Sequence, residues 1–231
     1  MLEVVLFLAV FLGNSWIWRI YNSNISIFIL IVLATIYSFL VYEKKSKFAT
    51  FGLIAVLVPL FYFQFITTVP QSLTILENDE LGVKQQRLKL YNSVGTSNAI
   101  YNPFSPYLRI LFHRVDLKNF LEGDLGTIST RIQRNFFESI DPNIYFFAGH
   151  PRERVWVKDF EKFYFLLCIP FFVGLHQIFF KRNYVLIIYL GLSLILLSLI
   201  GHKNSFGPFI LFPGIVLVIL KGLMRIKNYV R

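Results

Sequence analysis

Tyr184–Ile200 reads YVLIIYLGLSLILLSLI, seventeen residues without a charged side chain. A run of that length and polarity reads as a membrane helix rather than a piece of a large soluble core. It is not alone. Five further apolar stretches recur, at about Val4–Trp18, Ile25–Tyr42, Phe48–Thr67, Phe163–Phe180 and Pro208–Leu220. The first is short. The last contains Pro208, Pro213 and Gly214, which predicts a kinked or partly re-entrant span. The chain of 231 residues is 55% hydrophobic and 18% aromatic, with mean hydropathy +0.59, values that soluble domains seldom reach. The expected fold is all-α: a polytopic membrane protein of about six transmembrane helices with a partly helical extracytoplasmic loop domain.

Charge distribution orients this scheme. The segment 68–162 holds 12 Lys/Arg and 11 of the 13 acidic residues, so it is nearly neutral. The remaining 11 Lys/Arg face only Glu3 and Glu43. The net charge of +10 therefore sits in short connections and the C-terminal tail, which argues for membrane-flanking charge and against nucleic-acid binding. Lys44, Lys45 and Lys47 follow the second stretch, Lys181 and Arg182 the fourth, and Lys221, Arg225, Lys227 and Arg231 the sixth. The alternate short connections carry only Arg19 and Lys203. The positive-inside rule then places both termini in the cytoplasm and the long loop outside a cell membrane. The expected division is 1–67 with three helices, 68–162 as the loop domain, and 163–231 with three helices and a basic tail. Glu3 near the start and the lack of a basic n-region argue for a retained first span rather than a cleaved signal. Cys168 is the sole cysteine, so no intrachain disulfide and no cysteine metal cluster can form.

The loop domain is rich in Phe, Tyr, Leu and Ile and is no flexible linker. Helices are expected over about 80–90 and from Ser105-Pro106 to Leu121. A third is marked by Leu125, Ile128, Ile132, Phe136 and Ile140, which share one face. It should stop near Ile140, because Pro142 follows Asp141. This stripe helix either packs on the loop's own core or lies on the bilayer with Arg131 and Arg134 toward headgroups.

The loop ends in Asp141-Pro142-Asn143-Ile144-Tyr145-Phe146-Phe147-Ala148-Gly149-His150-Pro151-Arg152-Glu153-Arg154. Tyr145, Phe146 and Phe147 suit an interfacial anchor. Arg152 and Arg154 suit a phosphate or pyrophosphate, because the guanidinium fork pairs bidentately with phosphate oxygens. Glu153 could hold one arginine and His150 could carry a proton near neutral pH. Generic headgroup contact or internal salt bridging accounts for the same arginines. His202 and Lys203, in the last short connection on the same side, could meet them, or could form an ordinary turn. His176 and Gln177 lie in an apolar stretch near its expected cytoplasmic end. No phosphate-binding glycine loop, His-Glu-x-x-His, Gly-x-Ser-x-Gly or metal-cage spacing is present, and no cofactor or metal is expected.

The stretch Ile140–Arg154, followed by Pro170-Phe171-Phe172-Val173-Gly174-Leu175, resembles a segment in the C-terminal part of GT-C-type membrane glycosyltransferases, the enzymes related to protein mannosyltransferases and aminoarabinose transferases. The resemblance implies a truncated or degenerate relative that uses a polyprenyl-phosphate sugar donor outside the cytoplasmic membrane. It also implies an acceptor activated by a carboxylate. The chain departs from that pattern. Its first outer connection, Arg19–Asn24, has no Asp or Glu, and His150 stands where the family has an acid after the glycine. No catalytic residue is carried over. Two other readings stay open: a non-catalytic subunit or scaffold whose outer loop docks a membrane protein partner, and a small-solute transporter. The transporter reading lacks central charges or paired broken helices.

Overall fold

A computed structural model describes residues 2–42, 47–68, 124–147, 161–201 and 206–230. These residues form helices, here numbered in chain order, without strands among them. They are α1 (Leu2–Leu12), α2 (Ser15–Ser23), α3 (Ile25–Val41), α4 (Lys47–Thr67), α5 (Asp124–Ile140), the single turn α6 (Asn143–Phe146), α7 (Cys168–Phe180), α8 (Tyr184–Ile200) and α9 (Phe212–Val230). Turns of 3₁₀ helix, Phe165–Leu167 and Phe209–Leu211, lead into α7 and α9. Contacts divide the chain into one unit of residues 1–69 with 134–231 and a second of residues 70–133. Of the second, only the opening part of α5 is described. The helices expected over 80–90 and 105–121 lie outside the described residues.

In the first unit α9 is the central rod. Every residue from Pro208 to Leu220 is buried. A helix apolar on all sides must be enclosed by its neighbours or by lipid. Here α1, α3 and α7 surround it. Lipid tails are as apolar as leucine, so enclosure in a bilayer stabilises mainly through close packing. The α7–α9 contact has that form. A Cβ on Gly174 would lie 1.9 Å from the Val218 carbonyl oxygen, and one on Gly222 would lie 1.7 Å from that of Pro170. Only hydrogen fits at either position. Phe163, just before α7, stacks on Phe212 at the start of α9 with centroids 5.8 Å apart.

Side-chain contacts gather at two ends. At the basic end the Tyr42 hydroxyl donates to the Glu3 carboxylate. Lys221 lies over the Tyr42 ring at 4.5 Å, and Asn183 Nδ2 donates to the Tyr42 carbonyl at 3.3 Å. This gathers the start of α1, the end of α3, the α7–α8 turn and the basic half of α9. At the other end, the loop end, Trp16, Gln64, Lys162 and Phe206 come together around the start of α9.

The expectation of six spans is corrected to one to three. Among the described residues, only Phe209–Tyr229 is by itself long and apolar enough to cross a membrane. The count reaches three if two bent pairs each form one span: α1 with α2, bent by 56°, and Phe165–Phe180 with α8, bent by 115°. Length is the physical reason. At about 1.5 Å per residue, a 17-residue helix such as α3 or α8 reaches about 26 Å, short of the roughly 30 Å hydrocarbon core. The stretch Val4–Trp18 is not one helix, and Pro208–Leu220 is not the whole of the last one. Lys221, Arg225 and Lys227 continue α9 instead of forming a tail beyond it. These apolar helices support a membrane location.

The break between α1 and α2 shows how the chain bends without leaving polar groups open. Gly13 N–H bonds the Ala9 carbonyl at 2.9 Å. Asn14, itself buried, donates to the Val10 and Phe11 carbonyls at 2.9 and 2.7 Å and accepts from Ile17 N–H at 2.9 Å. The Trp18 indole donates to the Leu12 carbonyl at 2.7 Å. All four terminal carbonyls of α1 therefore have partners within the chain. Replacing Asn14 by Leu removes the cap and leaves two carbonyls and an amide unsatisfied. It is expected to cost roughly 2 kcal/mol, read as a lowered thermal midpoint of the detergent-purified chain; an unchanged midpoint would contradict the capping role.

Candidate functional site

None of the six residues expected to bind phosphate falls among the described ones. His150, Arg152, Glu153 and Arg154 belong to 148–160, and His202 and Lys203 to 202–205. The flanks of both segments are described, and they meet. The chain entering the first segment ends in α6 and Phe147, and the chain leaving it begins at Glu161. Lys162 N–H and Phe163 N–H both donate to the Tyr145 carbonyl, at 3.2 and 2.8 Å. The Lys162 ammonium donates to the Ile144 carbonyl at 2.6 Å. These bonds pin the two flanks of 148–160 together.

Trp16 joins this pair to the flank of the second segment. Its indole is fully buried and donates to the Phe206 carbonyl at 2.5 Å. Its backbone N–H donates to the Lys162 carbonyl at 3.3 Å. The Ser15 hydroxyl donates to the neighbouring Glu161 carbonyl. Around the indole stand Tyr145 at 5.9 Å, Phe163 at 5.8 Å and Phe212 at 5.3 Å between ring centroids, with the Lys162 ammonium 5.7 Å from the indole ring centroid. The aliphatic stem of Lys162 also lies against Gly207, where a Cβ would come within 2.8 Å of Lys162 Cε. Gly207 has φ +73°, a conformation that glycine adopts without strain. Buried Gln64 of α4 completes the arrangement, donating to the Gly207 carbonyl at 3.2 Å and accepting from Ile210 N–H at 3.4 Å.

Sequence reasoning did not single out Trp16, Gln64 or Lys162. Gln64 is a polar side chain within an apolar stretch, a signal that was there to be used. Trp16 and Lys162 gave none: the indole of Trp16 acts across 190 positions of sequence, and Lys162 closes back on Ile144 and Tyr145 across an intervening segment. The interfacial reading of Tyr145 and Phe146 is corrected: both are buried, and only Phe147 of that trio is exposed. Pinning of Tyr145 by Lys162 and Phe163 turns the first two rings inward. His176 is exposed and stacks on Phe180 at 5.8 Å, while Gln177 is half-buried.

Helix α5 ends at Ile140, as the stripe and Pro142 predict. Part of its apolar side stays open: Phe136 and Ile140 of the stripe are exposed, as is neighbouring Phe137, while Ile128 and Ile132 are half-buried. Asn135 instead faces the end of α8, donating to the Ser198 carbonyl at 3.2 Å. Arg134 pairs with Glu138 at 2.9 Å, and Arg131 is buried rather than turned outward. Three carboxylates here have local structural partners. Glu138 holds Arg134, Asp141 accepts from Asn143 N–H and Nδ2, and Glu161 caps Phe165 N–H at 2.8 Å. Among the described residues no group of three His, Cys, Asp or Glu could hold a metal ion. No family model matches the chain, and neither a curated protein nor a solved structure matches it.

Burial pushes the Tyr145 phenol well above its ordinary value near 10, with the Asp141 carboxylate adding to the shift. The hydroxyl donates to the Ser139 carbonyl at 2.6 Å and stays protonated. Below the unfolded value, both folded and unfolded chains hold the proton. Above it only the unfolded chain ionises, so this contribution to stability is lost as pH rises past about 10. Tyr145→Phe should cost about 1 kcal/mol at neutral pH through the lost hydrogen bond and should flatten the alkaline loss. Thermal midpoints followed from neutral to strongly alkaline pH check this; an alkaline slope equal to that of the parent chain would contradict it.

Proposed function

We propose that this membrane protein binds a lipid-linked phosphate at its loop end, outside the cytoplasmic membrane, with Arg152 and Arg154 on the phosphate oxygens. His150, Glu153, His202 and Lys203 are the supporting groups, and a polyprenyl-phosphate sugar is the ligand class. One observation carries the reading. The flanks of 148–160 and of 202–205 are fastened to one cluster built on Trp16, Lys162 and Gly207. Two short basic segments rooted together can address one anion, and guanidinium groups match the paired oxygens of a phosphate.

The reading is of binding rather than turnover. Glycosyl transfer of the GT-C kind uses a carboxylate to activate the acceptor. Among the described residues, Glu138, Asp141 and Glu161 each have a structural partner, and a role as a binding subunit beside a catalytic membrane protein fits them.

The test uses the full chain in nanodiscs. The parent should bind a fluorescent polyprenyl phosphate saturably, and the double charge reversal Arg152→Glu with Arg154→Glu should abolish binding while leaving the thermal midpoint within error. Binding unchanged by that double reversal would refute the assignment.

A further inference from the structure

The first connection of the chain is a helix with two unlike faces. On α2, Trp16, Ile17 and Ile20 are fully buried, whereas Trp18 and Tyr21 are about half exposed and Asn22 is exposed. The exposed rings pack edge to face on each other at 6.1 Å, and Tyr21 packs in the same way on Phe28 of α3 at 5.0 Å. Phe28 lies on α3, whose outer row, Ile25, Ile29, Leu33, Ile36 and Leu40, is also exposed. That row belongs to a 17-residue apolar helix in a chain whose candidate spans support a membrane location, and its opposite side carries Ile27, Ile31 and Ala34 in the core.

The break before α2 adds an independent observation. The terminal carbonyls of α1 are all satisfied within the chain, the last by the Trp18 indole. A helix end in water can leave such groups to solvent; one at membrane depth cannot. The ring of Trp18 faces outward while its N–H is spent inward. This is the amphipathic placement that tryptophan and tyrosine adopt at the boundary between headgroups and acyl chains.

We infer that α2 is an interfacial helix, with Trp18 and Tyr21 seated at the headgroup–acyl boundary of the bilayer. The occupant of its exposed face is phospholipid. Because the opposite face carries Trp16, α2 sets the depth at which the flanks of 148–160 and 202–205 stand relative to the membrane. The inference does not depend on what those segments bind.

Tryptophan fluorescence of the full chain in phosphatidylcholine vesicles tests it. Trp156→Phe removes the third emitter and leaves buried Trp16 and exposed Trp18. Phosphatidylcholine brominated near the headgroup end of its acyl chains should quench more strongly than lipid brominated near the chain ends, and Trp18→Phe should remove most of that quenching. A second reporter, Tyr21→Trp combined with Trp18→Phe, should show the same depth preference if the first variant folds poorly. Quenching by aqueous iodide without quenching by brominated lipid would place α2 in water and overturn the inference. Protection from both quenchers would mean a protein partner or second copy covers the face, and would overturn it too.

Discussion

The loop end of this protein depends on the burial of one indole. Trp16 has a single side-chain donor, and it is used on the Phe206 carbonyl; its backbone N–H is used on the Lys162 carbonyl. Each of those carbonyls sits where the chain turns between a helix and a polar segment. Neither turn can rely on water at a site enclosed by Tyr145, Phe163 and Phe212. Buried polar groups without partners cost more than the hydrogen bond itself would contribute, so Trp16, Gln64 and Asn14 are constraints on the fold and not decoration of it. Asn14 stands at the break between α1 and α2, Trp16 lies in the first turn of α2, and Gln64, inside α4, bonds the Gly207 carbonyl and the Ile210 amide where the chain enters α9.

What the break residues hold, α9 organises. Its apolar surface is covered on all sides from Pro208 to Leu220, and Gly174 and Gly222 let α7 approach to backbone contact. In lipid that closeness supplies stability that burial alone does not. The start of α9 is fixed by Gln64 and by the Tyr189 hydroxyl, which donates to the Ile210 carbonyl at 2.9 Å. The entry to α9 is therefore held by α4 and α8, and the polar segments that precede α7 and α9 are rooted on a shared base.

Much of this was legible in the sequence, for physical reasons that differ by element. The end of α5 at Ile140 was readable because proline restrains the residue before it and because a stripe at helical spacing needs no tertiary context. The apolar helices were readable from lack of charge. Their division was not: hydropathy does not register the bend at Gly13-Asn14, and it cannot tell that Lys221, Arg225 and Lys227 remain on a helix. Asn14 before Ser15-Trp16 was a usable cap signal hidden inside an apolar run. The inward turn of Tyr145 and Phe146 was not readable, because it is imposed by Lys162 and Phe163 through the Tyr145 carbonyl. The resemblance to GT-C enzymes pointed at 140–154 but could not reveal that Trp16 of α2 packs against Tyr145.

Amide hydrogen exchange of the full chain in nanodiscs tests the shared root most directly. The amides of Lys162 and Phe163, bonded to Tyr145, and that of Ile210, bonded to Gln64, should exchange slowly in the parent chain. With Trp16→Ala all three should lose protection together, as one cooperative unit opens. Loss of protection at Lys162 and Phe163 with Ile210 unchanged would show that the two flanks are held independently, and would contradict the account.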